Sequence, residues 1–208
     1  MDFSLISNVT WHTLNVNHRK FAVGAEHILR YAPGFSPIIG FEDPTSHDLA
    51  SLEPYCIPGE HFYCDGWSGP TPKNWSVQFE TPMLKMVFKG PPPCIPEIPN
   101  LTTISASYCD KAMELVELTK PGPFGRRTIE IGEYVGIFED GKLVAMAGER
   151  FYAGEFRELS GICTHPDFRG KGYAKLLSQQ LIINQLSRGE TPFLNVLTSN
   201  VVARKIYE

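Results

Sequence analysis

Arg169-Gly170-Lys171-Gly172-Tyr173-Ala174 packs two cations and two glycines into six residues. That combination suits phosphate. Glycine lets the backbone approach a ligand closely, and cations supplement backbone N–H donors around an anion. For this chemistry to operate, the elements on either side must aim the amides outward. A strand-like run, Glu158 to Thr164, enters the turn, and a helical pattern, Tyr173 to Arg188, leaves it. Strand, glycine turn and helix place unpaired N–H groups and the positive end of a helix dipole at one point.

Bulk properties narrow the classes. The 208 residues allow one ordinary domain or two small ones, and 42% apolar residues with 12% aromatics suffice for a buried core. A net charge of -4 gives no basic face for nucleic acid, so no nucleic-acid partner is expected. No run approaches ~20 apolar residues, so no membrane span is expected either. The first residues, Met1-Asp2-Phe3-Ser4, lack the basic and apolar regions of a signal peptide. Five cysteines, odd in number and without a CxxC pair, argue against a disulfide framework and a zinc site. His12, His18 and His27 match no ligand spacing. The expectation is a cytoplasmic, metal-free protein.

Along the chain, apolar spacing over 3–32 predicts two helices broken near Asn15–Asn17. Residues 33–75 are rich in turn formers, with short strands expected at Ile38–Phe41 and His61–Cys64 and a helical turn at Asp48–Leu52. Alternation predicts strands at Trp75–Glu80 and Met83–Lys89, their apolar side chains in the core. Five prolines between Pro91 and Pro99 predict a stiff linker. Beyond it come a strand at Leu101–Ala106, a helix at Tyr108–Thr119, a loop from Lys120, and a short helix or turn at Arg126–Gly132. A hairpin is expected around Asp140-Gly141, then strands at Phe156–Thr164 and Phe193–Leu197 and a last helix from Asn200. The expected organisation is an α/β fold: an N-terminal mixed region, 1–97, and a second domain, 98–208. The first region is a candidate degenerate copy of the second, on the strength of the Trp75–Lys89 strand pair.

Two familiar phosphate templates fail at the turn. A nucleotide P-loop, GxxxxGK[ST], is absent, and a dinucleotide fingerprint lacks its third glycine, because Ala174 and Lys175 follow Gly172. The wider order of hairpin, strand, Arg-x-x-Gly-x-Gly/Ala-type turn, long helix, strand and Asn200…Ala203…Tyr207 resembles the GNAT superfamily of acyl-CoA-dependent N-acyltransferases. The resemblance covers about residues 101–208. Lys120-Pro121-Gly122-Pro123-Phe124, Gly148-Glu149-Arg150 and Cys163–Ala174 look like a bacterial branch of it. It implies a mixed, mostly antiparallel sheet flanked by helices, with a final strand after Tyr207 that this sequence does not contain, so that either the terminus is unusual or the sequence is cut short. A second copy of the chain is one candidate to cover that edge.

The resemblance also implies a site. Ile162, Cys163 and Thr164 would pair with the pantetheine arm of acetyl-CoA, and an amide near Ile162 would polarise the thioester. Arg169, Gly170, Lys171, Gly172, Tyr173 and Ala174 would hold the pyrophosphate. Asn200 would bond the coenzyme or cap the last helix. Tyr207 would be the general acid, and Glu158, eleven residues before Arg169, the base. Glu149 and solvent water are the alternatives for the base. Cys163 as an acyl carrier is disfavoured, because direct transfer is the norm. Phe124, Arg126, Arg127 and Glu130 would face the acceptor, expected to be a primary amine on a small or amino-acid-like molecule. A non-catalytic acyl-CoA-binding module and a protein-lysine acetyltransferase are the competing readings.

Overall fold

The computed structural model describes residues 3–45 and 49–207, with the side chain of Tyr207 outside the description. Chain contacts divide it into two units, 3–81 with 151–154 and 82–150 with 155–207.

The first unit opens with the short helices α1 (Ser4–Ser7) and α2 (Val9–His12), followed by a π-turn at Thr13–Asn17. The second expected helix is absent. Its place is taken by a hairpin, β1 (Ala22–Ala25) and β2 (Ile28–Tyr31), which continues to β3 (Ile38–Phe41) and β4 (Tyr63–Cys64). Gly24 shows why strand pairing beats helical spacing here. A Cβ at that position would lie 2.3 Å from the Ile28 carbonyl oxygen, so the hairpin closes only around a residue without a side chain. Ile28, Ile39, Phe41, Leu49 and Leu52 form the local core. His18 is buried with its ring nitrogen 2.8 Å from the Tyr31 hydroxyl. The expected turn at Asp48–Leu52 begins outside the described residues, and a 3-10 helix runs from Leu49 to Tyr55.

The expected strand at Trp75–Glu80 does not form, and Val77 and Phe79 are exposed rather than in a core. The neighbouring run does form a strand, β5 (Met83–Val87), but it belongs to the second unit. The strand pair behind the degenerate-copy expectation is therefore not made. Nor does the proline run separate the two units, since β5 lies ahead of it.

The second unit carries a six-stranded sheet. Its strands are β5, β6 (Leu101–Thr103), β7 (Tyr134–Glu139), β8 (Lys142–Ala153), β9 (Phe156–Thr164) and β10 (Thr191–Leu197), in the order β5-β10-β9-β8-β7-β6. Helix α3 (Cys109–Thr119) packs Ala112, Leu115 and Val116 on one face, against Tyr134, Met146 and Cys163. Helix α4 (Tyr173–Ser187) packs Leu177 and Leu181 on the other, against Val135, Ile137, Ala147, Leu159 and Leu194. Alternation along β7, Tyr134 one way and Val135 the other, assigns each strand residue to a helix face. Helix α5 (Val201–Tyr207) follows β10. The hairpin at Asp140-Gly141, the strand Phe156–Thr164 and the α4 start lie where the residue pattern puts them.

Candidate acyl-transfer site

Strands β9 and β10 run parallel, yet they pair only from Phe156↔Thr191 to Leu159↔Leu194. Beyond that point β9 continues to Thr164 without β10, keeping only β8 beside it, while β10 continues against β5 through Leu197↔Met83. The sheet opens between them. Leu159 belongs to the α4-face core and Cys163 to the α3-face core. Four residues apart in a regular strand they would share a face, so β9 contains one extra residue. Gly161, at φ +62°, absorbs it. This bulge sits two residues past the last paired position and bends the backbone where the strands part.

Past Thr164 the chain makes one 3-10 turn, Pro166–Phe168, capped by His165, and reaches the glycine turn. Gly170 and Gly172 have φ of +80° and +81°, the left-handed region that L side chains disfavour. Nothing lies within 4 Å of where their Cβ atoms would be, so both glycines face open space. Helix α4 starts directly after Gly172 with no side-chain cap. Its first helical backbone bond runs from Leu176 N–H to the Gly172 carbonyl. The amides of Tyr173, Ala174 and Lys175 precede that bond, among the orphan donors of a helix start. Of the cations, Arg169 is exposed, whereas Lys171 lies 3.4 Å from the Glu139 carboxylate and over the Phe168 ring. Tyr173 donates its hydroxyl to Glu139. That bond, helped by Lys171, holds the Glu139 carboxyl below its ordinary value. Lys171 is thus already paired with a carboxylate, which leaves the amides at the helix start and Arg169 as the groups open to an anion.

Cys163 is buried, and burial pushes its thiol up to about 11. It stays protonated at neutral pH and is a poor nucleophile. The Thr164 hydroxyl is buried without a hydrogen-bond partner among the described residues, at the strand end that leads into the turn. Ile162 is half-buried and packs toward the α4-face core. Asn200 accepts a bond from the Ala203 amide at 3.1 Å and so caps α5, one of its two expected roles. Tyr207 ends α5, and the position of its side chain lies outside the described residues.

The two candidate base carboxylates are both occupied. Glu158 is 1% exposed and receives two bonds from Arg150, at 2.9 and 2.8 Å, and a third from Asn195 at 2.7 Å. Glu149 projects to the opposite face, where Gln185 at 3.0 Å, the Glu133 amide at 3.3 Å and Arg188 all donate to it. On the α3 side, Phe124 meets the Tyr134 ring edge-to-face at 5.9 Å. Arg126 pairs with Asp110, and Arg127 with Glu130. Neither arginine is therefore a bare cation awaiting a carboxylate.

Three residues of this site were not anticipated: Arg150, Asn195 and Tyr134. Arg150 was legible in principle. Residues 150 and 158 are equidistant from Gly154, so a hairpin turning there brings them opposite each other. Asn195 depends on the β9–β10 register, which no local pattern encodes. Among the described residues no cluster of three or more His, Cys, Asp or Glu could hold a metal ion. No described helix is long and apolar enough to cross a membrane.

Parallel strands parting at a bulge, with a left-handed glycine turn opening a helix beyond them, give a mixed α/β architecture with an open strand edge beside an uncapped helix start. A family model described as FR47-like protein matches residues 134–208. The chain is similar to a structure described as a GNAT-family acetyltransferase from Novosphingobium aromaticivorans. The two are 28% identical with a TM-score of 0.84, over 97% of this chain and 90% of that one. In fold alone it is similar to a GCN5-related N-acetyltransferase from Kribbella flavida, at 14% identity and a TM-score of 0.56 over 97% and 89% of the two chains. A GNAT-family acetyltransferase from Colwellia psychrerythraea gives 17% and 0.51 over 63% and 52%. No curated protein sequence matches. The FR47-like match over residues 134–208 and the 28% identical structure support an acyltransferase with a GNAT-type fold.

Proposed function

We propose that the protein transfers an acetyl group from acetyl-CoA directly to a primary amine of a small or amino-acid-like acceptor. The observation that carries this reading is the opening between β9 and β10 directly ahead of the uncapped α4 start. An extended pantetheine arm fits along the unpaired edge of Ser160–Thr164 as an added strand. The pyrophosphate then falls on the amides of Gly170 to Ala174, and the unpartnered Thr164 hydroxyl has a ligand to bond.

Attack requires a neutral amine, and a primary amine of pKa near 10.4 is mostly protonated at pH 7. Glu158 lies beside the opening, but three donors already bind its oxygens, so its lone pairs are directed at Arg150 and Asn195 rather than at an incoming amine. In this reading Glu158 anchors β8, β9 and β10 where they diverge, and the proton leaves through water. The carbonyl carbon is attacked while an amide near Ile162 holds the developing oxyanion. The C–S bond then breaks, and the thiolate takes a proton, with Tyr207 the candidate donor. Cys163, held as a thiol, carries no acyl group.

Acetyl-CoA should raise the melting temperature by mass action, and coenzyme release with pooled amines should identify an acceptor. No thermal shift at millimolar acetyl-CoA would sink the reading. The occupied state of Glu158 favours one alternative, a module that binds acyl-CoA without turnover. Coenzyme binding with no release across a broad amine panel would select it.

A further inference from the structure

Tyr134 is the largest polar side chain buried beside the opening, at 1% exposure. Its ring lies flat over two glycines of neighbouring strands. A Cβ at Gly148 would come within 2.1 Å of the ring, and one at Gly161 within 3.3 Å of its Cε1 atom, next to the carbon bearing the hydroxyl. The ring therefore runs from β8 toward the bulge in β9. Phe124 closes the other side. Buried here, the hydroxyl has no hydrogen-bond partner among the described residues. Nearby Glu158 and Arg150 are bonded to each other rather than to this hydroxyl. Phenylalanine would fill the same space without the cost of burying an unpaired hydroxyl. A ligand that brings an acceptor atom to the bulge would account for the tyrosine.

We propose that the Tyr134 hydroxyl donates a hydrogen bond to the carbonyl oxygen of the bound acyl group, as a second oxyanion donor beside the backbone amide near Ile162. This rests on the coenzyme A reading above. A carbonyl oxygen has two lone pairs, so an amide and a phenol can bind it together. Burial pushes the phenol well above its usual value, so at neutral pH it carries its proton and acts as a donor. In the reaction the amine nitrogen bonds the carbonyl carbon, and the C=O π pair moves to oxygen. Tyr134 and the amide hold that charge without proton transfer. The pair returns as the C–S bond breaks. Water takes the amine proton, and the thiolate is protonated on leaving.

The test compares the full chain with its Tyr134→Phe variant. Three quantities are measured: melting temperature without ligand, affinity for coenzyme A and for acetyl-CoA, and coenzyme release with amines. The variant should melt at or above the wild-type temperature and bind coenzyme A within about twofold, with turnover down about a hundredfold. If no amine is acylated, the ratio of acetyl-CoA to coenzyme A affinity replaces turnover, and a fall of about threefold or more supports the proposal. Unchanged turnover, or an unchanged ratio, overturns it. A variant melting several degrees lower also overturns it, by showing that the hydroxyl makes a structural bond. A wild-type chain that fails to bind coenzyme A removes the coenzyme reading itself, and the missing binding marks that case.

Discussion

The Glu158→Gln variant separates a structural anchor from a general base. The carboxylate is 1% exposed and its partner Arg150 is 11% exposed, with two bonds between them and a third from Asn195. Glutamine keeps the shape and an oxygen for Asn195, but leaves the guanidinium without its counter-charge. Breaking a buried pair from one side costs about 3–5 kcal/mol, and the partial exposure of Arg150 favours the lower end. At about 2–4 °C per kcal/mol for a chain of this size, a loss of ~3 kcal/mol lowers the melting temperature by roughly 6–12 °C. Arg150→Met in the same chain should recover much of that loss, because the orphaned charge is then gone. Thermal melts of wild type, both single variants and the double variant form the cycle. Coenzyme release well below the lowest melting temperature gives turnover. An anchor predicts a large thermal loss, rescue in the double variant, and turnover within about tenfold of wild type. A base predicts a 10²- to 10⁴-fold loss of turnover. A Glu158→Gln variant that melts within about a degree of wild type while losing ~10³ in turnover would refute the anchor reasoning.

Three further outcomes are expected. Gly172→Ala should cost only about 1–2 kcal/mol of stability, since nothing crowds the new methyl and only the left-handed backbone objects, yet weaken coenzyme A binding more than tenfold in calorimetry. Equal losses in both would mean that the turn does not touch the coenzyme. Glu190 is pushed up by burial, but Arg157 and Arg188 together outweigh this and hold it below 4.5. Its stabilisation is thus full above 4.5 and fades as pH falls through the lowered value, so Glu190→Gln should flatten the fall of melting temperature below about pH 4.5. An unchanged acid limb would contradict that ion-pair assignment. Cys163 should resist alkylation in the native protein at pH 7.5, and mass spectrometry after incubation with acetyl-CoA should find no acylated Cys163. An acylated Cys163 would overturn direct transfer.

Elements governed by local chemistry were readable from the residues. The Asp140-Gly141 turn, the Phe156–Thr164 strand and the α4 start each depend on residues adjacent in the chain. Errors arose where a distant partner decided. Phe21, Ala25, Ile28 and Leu29 have helical spacing, yet pairing with β3 and the close approach at Gly24 make that segment a hairpin. Trp75–Glu80 alternates like a strand, but no neighbouring strand pairs with it among the described residues. Alternation signals a two-faced segment and cannot supply the partner that turns it into a strand. Met83–Val87 is the converse case, since its strand pattern was plain but its partner, β10, lies more than a hundred residues away.

The same division runs through the site. The sequence by itself determined a glycine turn between strand and helix, because the left-handed φ values of Gly170 and Gly172 and the orphan amides at the α4 start are local properties. It also put an acidic residue eleven positions ahead of that turn. Only the tertiary structure decided what the acid touches. Arg150 reaches Glu158 across a hairpin and Asn195 reaches it from a parallel neighbour, and those contacts are the ground for proposing an anchor in place of a base. Tyr134 likewise became a candidate only when three strands came together, placing its ring against two glycines with its hydroxyl unpaired among the described residues. Backbone geometry at a turn is short-range, whereas the protonation and partners of a buried side chain depend on everything packed around it.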